Sequence, residues 1–175
     1  MAERIIKFGL SEQEIDRAIR ELEEYKQSVI QKTVVFREKA AEKIAELARS
    51  GFDGAIADDL TDDSGGAKQA SVKVYLDSRE NVTTVIAYGE DAVWVEFGAG
   101  VYHNGAAGSS PHPYGSELGF TIGSYGKGKG KGKAWGYYEN GKLKLSHGTP
   151  AVMPMASALT AVLNGIEGIA REVFS

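Results

Sequence analysis

The segment Asp91-Ala-Val-Trp-Val-Glu-Phe-Gly98 decides how the rest of this chain is interpreted. Within it one carboxylate, Glu96, stands among the large apolar side chains of Trp94 and Phe97, and Gly98 ends the segment. If the segment packs, this carboxylate leaves water and needs a charged or hydrogen-bonding partner. It could serve in an active site, as a buried structural anchor or in an interface. Because no second catalytic residue lies nearby in the sequence, a structural or interface role is predicted.

A long amphipathic helix is predicted ahead of this segment. Ser11 and Glu14 have the spacing of a capping box, apolar residues recur with the helical period from Ile15 to Leu47, and Ser50-Gly51 supplies a stop. A helix of about 39 residues at about 1.5 Å per residue is roughly 60 Å long, which exceeds the roughly 30 Å of a small domain. Part of this helix is therefore expected to pack against another molecule.

Two hairpins and a second long helix are predicted further along the chain. Residues 71–77 and 82–88 have the character of two neighbouring strands, the first with clear apolar–polar alternation. Asn140-Gly141 is a strong hairpin signal between two further strands. Pro150 and Pro154 stiffen the entry into a last helix with an apolar face, because proline is favourable at the first helical position.

These elements divide one predicted domain, residues 1–175, into five segments. They are a long helix over 1–50, a mobile loop over 51–70, a hairpin plus a short helix over 71–100, a Gly/Lys-rich insertion with a hairpin over 101–147, and a C-terminal helix over 148–175. The predicted fold class is α+β, with a long N-terminal helix, a small antiparallel sheet of about four strands and a C-terminal helix. Asp91 is expected to cap the short helix.

The composition excludes several kinds of chemistry. The 175 residues contain no cysteine, so disulfides, zinc–thiolate sites and thiol nucleophiles are ruled out. The net charge of -4 argues against a protein that coats nucleic acid along its whole surface. The N-terminus lacks the apolar core of a signal peptide, and no apolar run reaches the about 20 residues of a membrane span. We therefore expect a soluble protein, made in the cytoplasm, without membrane contact.

Residues 126–133 alternate glycine and lysine. No Gly-Lys pair among them is followed by Ser or Thr, so they do not form a phosphate-binding loop of the Walker type. The segment is too rich in glycine and like charge to pack, but its lysines could lie along a nucleic-acid backbone without reading sequence. A solvated loop is the alternative. A nucleic-acid-binding accessory protein is accordingly the second function considered, and its candidate DNA-facing residues are Lys127, Lys129, Lys131 and Lys133.

Two groups of residues suggest a metal site by composition alone. The three histidines, His103, His112 and His147, match no zinc-site spacing. Four aspartates miss the EF-hand spacing and lack its closing glutamate; they are Asp58, Asp59, Asp62 and Asp63. A metal-dependent hydrolase is therefore the weakest of the three functions considered. No catalytic residue, cofactor or metal ligand is predicted.

Three features together resemble the tail-completion, or head–tail joining, family of tailed bacteriophages and prophage elements, whose members are neck or minor tail proteins. They are the long N-terminal helix, the segment Ala92-Val-Trp-Val-Glu-Phe-Gly-Ala-Gly100 after a hairpin, and Thr149-Pro-Ala-Val-Met-Pro-Met-Ala156 before the last helix. In that family an aromatic-Val-Glu-Phe-Gly-Thr/Ala-Gly motif follows the central strands, and a small-Pro-hydrophobic-Met-x-Pro-Ala-like motif opens the last helix. This chain has Ala99 where Thr is common, Met where an aromatic residue is common, and an enlarged insertion at 101–147.

The resemblance implies an α+β, non-enzymatic ring subunit at the head-proximal end of a phage tail, present in six copies. Its partners would be copies of itself, the tail terminator or tail tube, the neck or connector proteins, and DNA passing through the channel without sequence recognition. It would be found in the tail and neck of the virion after synthesis in the host bacterial cytoplasm. The residues expected to brace the central sheet or a subunit contact are Trp94, Glu96, Phe97, Gly98, Pro150 and Pro154.

Overall fold

Three helices and six strands make up the described part of the chain, which in this computed structural model comprises residues 6–58, 67–98, 112–115, 117–118, 135–146 and 148–175. The helices are α1 (Glu12–Phe52), α2 (Ala92–Phe97) and α3 (Pro154–Phe174). The strands are β1 (Ile56–Asp58), β2 (Lys68–Gln69), β3 (Lys73–Arg79), β4 (Val82–Tyr88), β5 (Trp135–Glu139) and β6 (Lys142–Ser146). The mixed helix and sheet content, the long N-terminal helix and the C-terminal helix are confirmed.

α1 begins where the capping box predicts. Ser11 Oγ accepts a hydrogen bond from the Glu14 N–H at 3.4 Å and donates one to Glu14 Oε2 at 2.6 Å. One of the N–H groups that the first helical turn leaves free is thereby satisfied. At the other end the Asp53 N–H donates to the Arg49 carbonyl oxygen. At about 1.5 Å per residue the 41 residues of α1 extend for roughly 60 Å.

α3 packs antiparallel against the C-terminal half of α1. Gly51 near the end of α1 lies against Pro154 at the start of α3, whereas Lys32 donates to the Ser175 carbonyl oxygen, at 3.3 Å, beyond the end of α3. The face of α1 that is turned to the core carries mostly small side chains, so its neighbours approach closely. The buried residues of this half are Ala41, Ala45, Ala48 and Phe52.

The β3–β4 hairpin lies on the same half of α1. Its register pairs Lys73 with Tyr88, and Val74 contributes a buried side chain to the hydrophobic core. Arg49 donates from Nε to the Val74 carbonyl oxygen at 3.0 Å, and this hydrogen bond links β3 to α1. Because successive side chains of a strand point to opposite faces, the residues of the other face, such as Tyr75, are exposed.

The prediction of one sheet of about four strands is wrong for the described residues. They form three separate two-stranded antiparallel sheets, β1–β2, β3–β4 and β5–β6. Side-chain alternation and turn residues specify each hairpin locally, but they do not determine whether two hairpins join edge to edge. Moreover, β1 and β2 lie within residues 51–70, which were predicted as a loop, and they pair Ile56 with Gln69.

Among the described residues, about 30 Å of α1 extends beyond the packed body, since α3 ends beside Lys32 and Arg37 donates to the Glu80 carbonyl oxygen in the β3–β4 turn. We call this portion, residues 12–31, the α1 overhang. Ala18 in it is buried. Four larger side chains form an exposed apolar stripe, each between 37% and 55% exposed: Ile15, Ile19, Leu22 and Val29.

None of the helices in the described ranges has the length and apolar character needed to cross a membrane.

Candidate functional site

α2 is a short helix that brings Glu96 into the interior of the protein. Three of its residues, Ala92, Val95 and Glu96, are buried. Asp91 precedes it but does not cap it with its side chain, in contrast to the prediction. That carboxylate instead accepts from the Ser71 N–H at 3.1 Å and from Lys68 Nζ at 3.3 Å. A charged donor makes a stronger hydrogen bond than a helix N–H group, so Asp91 ties α2 to the chain that leads into β3.

Glu96 accepts three hydrogen bonds inside the protein. Its Oε2 accepts from the Met155 N–H at 2.8 Å, and its Oε1 accepts from the Ala156 N–H at 2.9 Å and from His112 Nε2 at 3.0 Å. The residue is only 7% exposed. Hydrogen bonds to an ionised acceptor are roughly twice as strong as neutral ones, and three of them compensate the carboxylate for its loss of water. We call these four residues the Glu96 clasp.

The backbone donors of the Glu96 clasp belong to the first turn of α3, whose N–H groups have no partner within the helix. α3 has no side-chain cap from its own segment: its N-cap residue is Met153, in a left-handed conformation with φ 57 and ψ 49. Pro154 follows at the first helical position. A backbone N–H there would have no partner within the helix, so proline loses no hydrogen bond. Glu96 comes from a distant part of the sequence. It supplies both a hydrogen-bond acceptor and a negative charge, and both stabilise the N-terminus of α3.

His112 joins the clasp from within the 101–147 insertion. Its Nδ1 accepts from the Tyr114 N–H at 3.0 Å, so the proton that it donates to Glu96 is on Nε2. Its ring lies against that of Phe97, with centroids 4.2 Å apart and an interplanar angle of 47°. The side chains of His112 and Glu96 are 6% and 9% exposed. With both ring nitrogens engaged, His112 would have to give up a hydrogen bond to bind a metal ion.

Replacing His112 with alanine is expected to lower the free energy of unfolding by about 2 kcal/mol, because a hydrogen bond to a charged group is lost while both backbone donors still hold Glu96. Urea denaturation measures the change. The matched control is Glu117→Ala, which removes an exposed side chain from the same segment; its effect is expected to stay within about 0.5 kcal/mol. Equal stability of the two variants would show that the His112 bond contributes nothing.

Gly98 allows the chain that leads into α3 to pass close to the end of α2. It has φ 78 and ψ 154, a conformation essentially restricted to glycine. A Cβ at this position would stand 3.0 Å from the Ala151 Cβ and 3.3 Å from the Thr149 carbonyl oxygen. The lead-in is held in place by its backbone, since the Val95 carbonyl oxygen accepts from the Val152 N–H at 2.9 Å. α2 and the lead-in therefore form one packed unit.

The other residues predicted to have a structural role lie at or beside the Glu96 clasp. Pro154 is buried at the start of α3, and Pro150 is half-buried in the lead-in. Trp94 is half-buried in α2, and its carbonyl oxygen accepts from the Gly98 N–H at 2.7 Å. The two motif segments, which are about 50 residues apart in sequence, thus meet in space.

Sequence reasoning missed the partners of Glu96. His112 was considered only as a metal ligand, and the N–H groups of Met155 and Ala156 carry no signal in the sequence. One signal did exist. Met153 precedes the last helix where Ser, Thr, Asp or Asn is usual, and a helix without such a cap needs an acceptor from elsewhere.

Several predicted residues lie outside the described part of the chain. They are the four candidate DNA-facing lysines, Lys127, Lys129, Lys131 and Lys133, together with His103, His147, Asp59, Asp62 and Asp63. Asp58 is the last residue of β1. Within the residues that are described, no group of three or more histidine, aspartate or glutamate side chains is placed to hold a metal ion.

Comparison of the chain with protein-family models, with curated proteins and with solved structures gives no match. Both oxygens of the Glu96 carboxylate accept hydrogen bonds from groups that position α3 and the segment around His112. This is the bonding pattern of a structural anchor, since it joins three distant parts of the chain.

Proposed function

We propose that this protein is a structural virion assembly protein. It is a ring subunit at the head-proximal end of a phage or phage-like tail, where it completes the tail and joins it to the neck. It works by fitting against copies of itself and against its neighbours, without turning over a substrate. The observation that carries the proposal is the α1 overhang, about 30 Å of helix with an exposed apolar stripe that extends past the packed body of the described residues.

The α1 overhang supports a role in assembly for a physical reason. A surface helix normally turns its apolar side to a core and its charged side to water. In the overhang the apolar stripe is exposed, and an exposed apolar surface of this kind marks a site of protein–protein contact. Each subunit of a cyclic ring contacts its neighbours through two different surfaces. A helix that is longer than its own domain can reach such a neighbour.

The Glu96 clasp supports the same proposal from the motif residues. Besides the long N-terminal helix, the resemblance to tail-completion proteins rests on the segment Ala92-Val-Trp-Val-Glu-Phe-Gly-Ala-Gly100 and on Thr149-Pro-Ala-Val-Met-Pro-Met-Ala156. These two segments contact each other through the bonds from Met155 and Ala156 to Glu96. A carboxylate that holds a helix in place has a structural use, which favours an assembly protein over an enzyme.

Deleting the gene from the phage or prophage that encodes it tests the proposal. Electron microscopy is expected to find filled heads and finished tails that are not joined, and the infectious titre is expected to fall and to return on complementation. Complementation with Leu22→Glu, which places a charge in the apolar stripe, is expected to fail. Gln27→Glu, on the opposite side of the same helix, is the matched control. Normal infectious particles without the protein would contradict the proposal.

The purified protein distinguishes the two alternative functions. A nucleic-acid-binding accessory protein predicts a DNA affinity of the isolated chain that falls steeply as salt rises. A metal-dependent hydrolase predicts bound metal and an activity that is lost when His103, His112 or His147 is replaced. A DNA-binding titration and a metal analysis of the same sample measure both. Unchanged assembly and DNA retention after deletion of residues 126–133 would remove any role of the lysines in the channel.

A further inference from the structure

We infer that the α1 overhang of one chain pairs with the α1 overhang of a second copy, antiparallel and around a twofold axis near Leu22. The inference concerns the free protein and does not depend on the proposed function. It rests on two observations. One is the spacing of the exposed apolar stripe, and the other is the distribution of charge along α1.

The spacing of the stripe is compatible with an antiparallel copy of itself. Ile15 and Val29 each lie seven residues from Leu22, in opposite directions. Seven residues correspond to two turns of a helix in a two-stranded coiled coil, so the three side chains share one face. An antiparallel partner centred at Leu22 therefore places Ile15 of one copy beside Val29 of the other and the two leucines beside each other. All three residues are more than a third exposed in the single chain, so pairing removes apolar surface from water.

Charge decides the direction of the pair. Residues 12–19 carry three carboxylates and one arginine, a net charge of -2, whereas residues 25–32, which face them in a pair centred at Leu22, carry two lysines and no carboxylate, a net charge of +2. An antiparallel partner brings the acidic stretch of each helix toward the basic stretch of the other. A parallel partner would place the acidic stretches of the two copies side by side, where their like charges repel each other. It would offer two symmetry-related compensating ion pairs, each between Glu21 of one copy and Lys26 of the other.

The bodies of the two copies leave room for this arrangement. In the part of the chain that the structure describes, the packed body begins at Lys32, ten residues or about 15 Å along the helix from Leu22. In an antiparallel pair the described parts of the two bodies therefore lie at opposite ends of the paired helices. Pairing also covers a stripe that would otherwise remain exposed and prone to unspecific association. If the proposed function holds, a neighbour in the tail replaces the second copy on the same stripe.

Single cysteines report the arrangement, because the chain has none of its own. Leu22→Cys is expected to form a disulfide between copies under mild oxidation. Ile15→Cys and Val29→Cys, each alone, are not, because like positions lie about 21 Å apart along the axis and a disulfide needs Cα atoms within about 7 Å. An equal mixture of the Ile15→Cys and Val29→Cys proteins is expected to cross-link. The matched control is Gln27→Cys, on the opposite side of the helix.

Two outcomes of the cross-linking would overturn the inference. If Ile15→Cys and Val29→Cys each cross-link with themselves, the pair is parallel. If Leu22→Cys cross-links no faster than Gln27→Cys, the two copies do not meet at this stripe. Circular dichroism of each variant checks that the helix content is retained, so that a negative result reports on the contact and not on folding.

The native mass gives an independent measurement. The unmodified chain is expected to sediment at micromolar concentration with twice its monomer mass of 18.7 kDa. Leu22→Glu is expected to weaken association at least about tenfold, since two buried carboxylates would face each other across the axis, and Gln27→Glu is expected to leave it unchanged. A monomeric native protein, or a dimer that survives Leu22→Glu, would overturn the inference. Dimerisation of purified protein and joining of tails to heads are separate readouts, so either idea can fail while the other stands.

Discussion

Replacing Glu96 with alanine is expected to lower the free energy of unfolding by about 3–4 kcal/mol. The substitution removes the acceptor of three donors, the N–H groups of Met155 and Ala156 and the Nε2–H of His112. A buried donor without a partner costs about 1–3 kcal/mol. The lost negative charge at the start of α3 adds about 0.3–1 kcal/mol. Water that reaches the first turn of α3 recovers part of this loss, which keeps the expected total below the simple sum.

Urea denaturation of two further variants identifies the source of the effect. Glu96→Gln is expected to fall between the native protein and Glu96→Ala, because the amide keeps one acceptor oxygen but turns an NH₂ group toward backbone donors. Glu90→Ala removes an exposed carboxylate just before α2, and its effect is expected to stay within about 0.5 kcal/mol. If Glu96→Ala is as stable as Glu90→Ala, Glu96 does not anchor α3.

Replacing Gly98 with alanine is expected to destabilise the protein by about 3 kcal/mol. The backbone of Gly98, with φ 78 and ψ 154, is in a region that residues with a side chain avoid at a cost of about 1–3 kcal/mol. In addition, the new methyl group would stand 3.0 Å from the Ala151 Cβ. Either the lead-in to α3 or the end of α2 must then move, and overpacking of this kind costs about 1–3 kcal/mol.

Gly54→Ala is the matched control for Gly98→Ala. Gly54 also has a positive φ, of 76, but a Cβ there would meet nothing within 4 Å. Its replacement is expected to cost about 1–2 kcal/mol, which is the conformational cost alone. The difference between the two variants in thermal or urea unfolding therefore measures the close approach of the lead-in to α2 together with any extra backbone cost of the φ and ψ of Gly98. Equal losses would show that the contact with Ala151 is relaxed without cost.

The elements that could be predicted from the sequence are those whose cause is local. The capping box of Ser11 and Glu14 predicts the start of α1, and the structure contains the corresponding bond. Asn140-Gly141 predicts the turn between β5 and β6, where both residues have positive φ values of 53 and 77. In each case the physical reason lies within a few residues, because a cap or a tight turn is closed by neighbouring backbone groups.

Part of the candidate site was also predictable. Glu96 stands among Trp94, Val95 and Phe97, and a carboxylate in such surroundings needs a buried partner. The prediction of a structural role follows from that requirement and from the lack of a catalytic residue nearby. What the pattern does not contain is the identity of the partner, since the donors come from His112 and from the backbone of α3.

The sequence by itself thus determined the long N-terminal helix, the β3–β4 and β5–β6 hairpins and the need to compensate one carboxylate, because period, caps and turns act over short distances. Only the tertiary structure decided that the hairpins stay in separate sheets, that Asp91 binds Lys68 and Ser71, and that Glu96 caps α3. It also decided how much of α1 remains outside the packed body, since that depends on where α3 ends beside Lys32. These outcomes depend on contacts between residues that are far apart in the sequence. Short-range sequence patterns carry no information about such contacts.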